Sequence, residues 1–291
     1  MRKQRSSTFS GAGAQHGVAL VAVLWIVAAL SILVTGMVQA HRDEVRLVSS
    51  ARQTVQGSAL GSAAIQLVLQ QIAARTEPVA RLSRIEVSYA GFTIPVEVMP
   101  LNGLIDLNRA PEPLLAALFT FAGRLAPDAA AALARSLVAA RTPGPLTQGG
   151  PRFEAVEDLL QLPGVDFGLY ARLSPLITTD AAGGGRVNAM AAPEGVLLVL
   201  SEGDAARAAR IAANRDGGGP GVDTTDIPAQ FIDTVATKRF RLVAQVPLQD
   251  GRRLLSSRLV DTGRVAPDGV PWRIFQAEDR FEPVPATSEL K

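Results

Sequence analysis

Few side chains in this sequence are equipped for chemistry. Its only two histidines, His16 and His41, flank a long apolar run, and there is no cysteine. Imidazole acid–base pairs, thiolate nucleophiles and thiolate metal sites therefore have no place in the remaining chain. The absence of cysteine excludes disulfides without fixing the redox compartment. No GxSxG, HExxH or P-loop pattern occurs, and the chain reads as a non-enzyme. Asp216-Gly217-Gly218-Gly219 and Asp223-Thr224-Thr225-Asp226 offer carboxylates of the kind calcium accepts. Calcium needs about 6–8 converging oxygens, and these two stretches read instead as solvated Gly-rich loop. Leu162-Pro163-Gly164-Val165 joins two short helical stretches and could present backbone amides to DNA phosphates. Around it Glu154, Glu157, Asp158 and Asp166 outnumber Arg152 and Arg172. Without neutralising charge no phosphate binding is expected; the stretch reads as a helix pair burying Leu159, Leu162, Leu169 and Leu173. The formal net charge of +2 gives no pull toward nucleic acid either.

The elements around these residues start from one stretch. Residues 18–38 contain no charged side chain. As a helix they span about 30 Å, the hydrocarbon thickness of a bilayer. Arg2, Lys3 and Arg5 precede them with no acidic residue to offset the charge, which puts the N-terminus on the cytoplasmic side. Val38-Gln39-Ala40 resembles a signal-peptide cleavage site, but the apolar run exceeds the usual ~7–15 residues; a plain anchor is a second reading. The third follows from residues 39–77, which lack proline and place Val45, Val48, Val55, Ala59, Ser62 and Leu69 at helix-face spacing. Pro78 then stops a helix expected to run from Val18 to Glu77, half in lipid and half in water.

Beyond Pro78 the period changes to two. Ile85, Val87 and Tyr89, then Phe92, Ile94, Val96 and Val98, alternate with polar residues around an Ala90-Gly91 turn, a β-hairpin in which Pro95 favours an edge. Residues 104–235 read as helical, with a weak internal repeat. Ile105-Asp106-Leu107-Asn108-Arg109-Ala110-Pro111-Glu112 is echoed by Val187-Asn188-Ala189-Met190-Ala191-Ala192-Pro193-Glu194. Each copy opens a short helix at Pro-Glu and leads to an Ala-rich helix ending near an arginine, Arg141 or Arg215. After Val235 alternation returns in Phe240, Leu242, Ala244 and Val246, with strands expected at 252–260 and 270–276 and a turn at Asp250-Gly251. The expected fold class is α+β: a pilin-like long N-terminal helix packed on an antiparallel sheet, with an all-helical domain inserted between strands.

A basic leader, Gly17, an apolar segment and an amphipathic continuation resemble the N-terminus of type IV pilins and pseudopilins. Three further segments, in order, resemble the K-type minor pseudopilin of type II secretion, the general secretion pathway protein K family. Gly103-Leu104-Ile105-Asp106-Leu107-Asn108 is similar to that family's "INLNTA" segment. Residues 156–165, with Tyr170, Leu173, Pro175 and Thr178, are similar to its "ELxxlxGvxxxxYxxLxPxvT" block. Val187-Asn188 opens the second copy, with Met190 where Asn is usual.

The resemblance implies a prepilin leader at 1–17, cleavage between Gly17 and Val18, and N-methylation of Val18. It implies a transmembrane and assembly helix at 18–38, and the amphipathic helix and first strands of a pilin-like domain at 39–103. The inserted domain would occupy 104–235, the remaining strands 236–280 and a loose tail 281–291. Most of the wider family carries Glu at the fifth mature position; here that position is Ala22, and the K-type members characteristically lack the Glu. The implied function is that of a minor pseudopilin at the pseudopilus tip, in initiation and in protein secretion across the outer membrane. Implied partners are the I- and J-type minor pseudopilins, the major pseudopilin, the prepilin peptidase and the inner-membrane assembly platform, with no nucleic acid. The implied location is the inner membrane, single-pass, with a periplasmic C-terminal domain. No cofactor is implied: where many members carry an acidic "DWxDxD" run, this chain has residues 136–143, SLVAARTP, without a carboxylate, so the family's calcium binding is not expected here. A minor pilin of a type IV pilus and a membrane-anchored DNA-binding protein are the alternatives.

Overall fold

The computed structural model describes residues 15–141, 153–181, 183–218, 221–248 and 251–283; within 15–50, side chains are described at 21–31 only. The leader ahead of residue 15, the two Pro/Gly clusters at 143–151 and the end of the expected tail lie outside the described residues. The chain forms two compact units, Met1–Gln56 and Gly57–Lys291. Helix α1, Gln15–Ala73, begins in the first unit and ends in the second. It stops short of the expected Glu77. The amides of Ala74 and Arg75 turn back to the carbonyls of Gln70 and Ile72, and residues 74–77 are exposed, so nothing holds a further turn.

In the second unit, α1 buries Leu60, Ala64, Ile65, Val68 and Leu69, a single face at helical spacing. This corrects the expected stripe, because Val55 is 70% exposed and Ala59 is exposed as well. The buried face runs through glycines. A methyl at Gly61 would lie 2.6 Å from the Cβ of Ser256, and one at Gly57 3.0 Å from Leu254. Absent side chains let helix and strand approach, and a pattern built only on large apolar residues misses that.

Strands β1 (Ser83–Tyr89) and β2 (Phe92–Pro100) form the hairpin, with positive φ at Ala90 and Gly91 as a two-residue primed turn requires. The chain then passes through β3 (Ile105–Asp106), α2 (Glu112–Ala117), α3 (Pro127–Arg141), α4 (Phe167–Leu173), β4 (Ile177–Thr178), β5 (Val187–Asn188), α5 (Glu194–Leu200), α6 (Ala205–Asp216) and β6 (Ile232–Asp233). It returns through β7 (Arg239–Pro247), β8 (Arg252–Asp261) and β9 (Arg273–Pro283). The five long strands make one antiparallel sheet in the order β1-β2-β7-β8-β9. Phe240, Leu242, Ala244 and Val246 of β7 join Ile94, Val96, Val98 and Leu254 in a core against α1.

Three expectations change. Strand β2 is interior, but its pairing with β7 begins only at Val96, so Pro95 stands where β1 alone flanks it. The third late strand starts at Arg273, not 270, and continues through residues 281–283 of the expected tail, because Phe281 pairs with Leu254 of β8. The stretch between β2 and β7 is not all helix: β3 pairs with β4 and β5 with β6, each parallel and two residues long. Two residues are too few to register as a period.

These short pairs sit at matching places in the two sequence repeats. Asp106 Oδ1 accepts the Asn108 amide at 2.8 Å, and Asn188 Oδ1 accepts the Met190 amide at 3.0 Å. Pro111 and Pro193 each precede the first helical residue. Arg141 donates to the carbonyls of Leu107 and Ala110, and Arg215 to that of Ala192, the residue equivalent to Ala110. Gly103 and Gly185 are equivalent too, and each meets the opposite copy. A methyl on Gly103 would fall 2.2 Å from the Ala191 carbonyl oxygen, and one on Gly185 2.0 Å from that of Arg109. The reciprocal contact makes the two copies a pseudo-symmetric pair over a shared core that includes Leu107, Leu114, Leu118, Val187 and Leu197.

One polar cluster ties α1 to the far strand of the sheet. The Asp279 carboxylate on β9 accepts hydrogen bonds from Ser58 Oγ, from Ser256 Oγ at 2.7 Å and from Arg258 at 2.9 Å; Arg258 also donates to Ser62 at 3.1 Å. Burial alone would raise the Asp279 pKa, but the bonds from Ser58, Arg258 and Ser256 outweigh it and hold the carboxyl below its usual range. A depressed folded-state pKa gives stability that is present above the unfolded-state pKa and lost as pH falls through the folded one. Asp279→Asn is therefore expected to destabilise by about 2 kcal/mol at pH 7. It should also flatten the acid limb of stability against pH, read from urea midpoints of wild type and variant. Parallel acid limbs would refute this role.

Candidate functional site

The N-terminal unit carries an unusual surface. Every residue from 21 to 31 is exposed. Val21, Leu24, Trp25, Ile26, Val27 and Leu30 are 56–72% exposed, on all sides of three helical turns. A helix apolar all round is a buried or membrane-embedded helix. Each such side chain gains about 1.5–3 kcal/mol on leaving water. Left in water, an all-round apolar surface of this kind is costly. Ala22 lies on it, exposed and without a charge. Gly17 and Val18 are inside α1, and their surroundings lie outside the described residues. Among the described residues no helix is long and apolar enough to cross a membrane; of the expected span 18–38, side chains are described at 21–31 only.

The Leu162-Pro163-Gly164 hairpin connects a 3-10 turn, Val156–Gln161, to α4. Leu159, Leu162, Leu169 and Leu173 are all buried. Within the hairpin the amides of Leu162 and Val165 bond to the carbonyls of Leu159 and Leu162, and carboxylates hold amides on either side of it. Asp158 Oδ2 accepts those of Glu154 and Ala155, at 2.9 and 3.1 Å, and Asp166 Oδ1 accepts that of Leu169 at 2.6 Å. The acidic loop residues are dispersed: Asp216 pairs with Arg215 at 2.7 Å, Asp223 accepts from Thr225, and Asp226 lies 4.0 Å from Arg207. Among the described residues no three acidic or histidine side chains gather as a metal site.

The sheet face turned away from α1 borders a cleft of about 770 Å³, closed on its other side by residues 154–157 and 170–180. Arg241 on β7 lines it, with Ser257 on β8 and Glu278 on β9. Burial pushes the Arg241 pKa down, against Glu97 and Glu278, which raise it. In sequence Arg241 is simply the polar member of an alternating strand, and its setting depends on chain more than sixty residues earlier.

No protein-family model matches the chain, and no curated protein matches it. Among solved structures it is similar to a chain of the crystal structure of the GspK-GspI-GspJ complex from the enterotoxigenic Escherichia coli type 2 secretion system. The match is 15% identical, covers 81% of this chain and 99% of that one, and has a TM-score of 0.49.

Proposed function

We propose that this chain is a minor pseudopilin of a type II secretion system, acting by assembly rather than by catalysis. The observation that carries the reading is a single helix, α1, whose N-terminal turns are apolar all round and exposed while its C-terminal turns pack on an antiparallel sheet. The basic leader ahead of Gly17 and the segments 103–108, 156–178 and 187–188 support the same family in sequence order. In this reading the apolar turns lie in the inner membrane and then pack against equivalent helices of other pseudopilins. The partners are the I- and J-type minor pseudopilins and the major pseudopilin, on the assembly platform of the inner membrane. The soluble part is periplasmic.

Position follows from size and charge. The stretch between β2 and β7 has its own core, and a compact domain of about 130 residues has a radius of gyration near 14 Å, against a helix width of about 10–12 Å. Such a mass obstructs a subunit stacked above it. Ala22 supplies no carboxylate for a neighbour's terminal amine. Both features suit one copy at the filament end, where assembly starts.

Processing tests the reading. Intact-mass analysis of membrane-extracted protein is expected to show loss of residues 1–17 and a start at Val18, with methylation there. Gly17→Val should leave the precursor uncut. A chain beginning at Met1 or after Ala40 would sink the proposal.

A further inference from the structure

The second unit has two hydrophobic cores that share no buried residue. One joins α1 to the sheet through Ile65, Leu69, Val96 and Leu242; the other lies within the stretch between β2 and β7 and includes Leu107, Leu118, Leu169 and Leu197. From the sheet's side, among the described residues, only Leu82, Met99 and Leu259 reach into the second core. Polar ties complete the joint. The Leu82 amide donates to the Met190 carbonyl at 3.0 Å, Asn188 Nδ2 to the Ala80 carbonyl at 2.8 Å and Thr237 Oγ1 to the Ala181 carbonyl at 3.4 Å. Arg239, at the start of β7, pairs with Asp180 and, at 3.3 Å, with Asp261 on β8.

The chain crosses between these two bodies twice, through the 3-10 turn Leu101–Gly103 and through residues 234–238, which form neither helix nor strand and are exposed at 234–236. The crossings lie side by side, since Asn102 Nδ2 donates to the Val235 carbonyl at 2.6 Å. Asn102 Oδ1 is buried and meets no donor among the described residues, so opening this joint to water relieves its desolvation. Neither crossing lines the cleft, which has Ala171 and Thr179 on one wall and Ser257 and Gln276 on the other. Bodies with separate cores and a small, largely polar joint move relative to one another, and the few residues of the crossings absorb the change.

We propose that the stretch between β2 and β7 turns as one body about these adjacent crossings, opening and closing the cleft over the sheet, and that the Asp180–Arg239 ion pair latches the closed position. The pair suits a latch. The Asp180 side chain is 53% exposed, so water can replace the guanidinium as its partner, and Arg239 keeps Asp261 when Asp180 leaves. An ion pair this exposed shifts a population about twofold to fivefold, the range in which both positions stay occupied. The hinge does not depend on the chain being a pseudopilin.

The chain has no cysteine, so spin labels go only where cysteines are introduced. Double electron–electron resonance on the detergent-solubilised full chain reads the distance across the cleft between labels at Ala171 on α4 and Gln276 on β9, both exposed. Labels at Ala171 and at Ala209 on α6, both within the moving body, give the reference. The 171–276 pair is expected to show two distances and the 171–209 pair one. Asp180→Asn should raise the longer 171–276 population about twofold to fivefold. Salt at about 1 M should do the same to wild type while adding little to the variant. One narrow 171–276 distance in wild type and in Asp180→Asn, at low and high salt, overturns the hinge. Two distances whose proportions ignore Asp180→Asn overturn the latch. Broadening of the 171–209 pair together with the 171–276 pair means general loosening and overturns motion as one body.

Discussion

Gly185→Ala is expected to destabilise the chain by about 2–5 kcal/mol, from two sources that separate experimentally. Gly185 has φ +81° and sits with its Cβ position 2.0 Å from the carbonyl oxygen of Arg109. A side chain in the left-handed region costs about 1–2 kcal/mol. Forcing a methyl into packed backbone costs about 1–3 kcal/mol more, since carbonyls in a turn cannot swing aside as a flexible side chain can. Two other glycines isolate the contributions. Gly91 has the same φ, +81°, with nothing within 4 Å of its Cβ position, so Gly91→Ala should show the strain alone. Gly103 has no positive φ but a methyl there would lie 2.2 Å from the Ala191 oxygen, so Gly103→Ala should show the overlap alone. Urea unfolding of the detergent-solubilised chain measures all three. If Gly185→Ala proves no worse than Gly91→Ala, the reciprocal contact between the repeats does not hold the helical stretch together. Gly103 and Gly185 are equivalent residues that each close on the other copy's turn, so the pseudo-symmetry is energetic as well as geometric.

The sequence made the local periods legible and left the distant contacts hidden. Alternation located β1, β2 and β7 because half-buried strands write their burial into every second residue: Phe240, Leu242, Ala244 and Val246 are all buried. Strand β9 was misplaced by the same logic. Val270 looked like its start, but the Val270 carbonyl receives the Ala266 amide in a turn, and the true strand, Arg273–Pro283, is exposed along most of its length, so no alternation marks it. Its pairing with β8 defines it, and that lies some twenty residues away in sequence. The face of α1 was misread where Gly57 and Gly61, not large apolar residues, make the contact. The repeat is visible as eight aligned positions, three of them identical, yet its purpose, two turns each capped by an arginine from a later helix, needed the fold. The apolar segment was the most legible candidate site, since charge-free length is a property of sequence alone. The cleft was the least, because Arg241 becomes distinctive only through what the stretch between β2 and β7 places opposite it.

Leu24→Asp combined with Val27→Asp is expected to remove the chain from the membrane. Both residues belong to the exposed apolar turns, Leu24 at 69% and Val27 at 56% exposure, and both fall in the middle part of the charge-free run 18–38. A carboxylate near the centre of a membrane-embedded helix costs about 2.5–3.5 kcal/mol on insertion scales, so two cost about 5–7 kcal/mol, beyond what one span readily absorbs. Each single variant should remain membrane-bound in part, with the partner substitution completing the loss. Val55→Asp is the control. Val55 is 70% exposed on the same helix, but Arg52, Gln53, Thr54 and Gln56 surround it in sequence, so a charge there meets water and should change nothing. Resistance of the chain to carbonate extraction from membranes reads wild type and all four variants. If the double variant stays in the carbonate-resistant fraction, lipid does not cover these turns. If wild type is itself extracted while remaining in large soluble assemblies, other protein helices cover them from the start. The ordering expected here, lipid first and neighbouring helices afterwards, follows from the all-round apolar surface: one flat interface would need only one apolar stripe, whereas a bilayer demands every side.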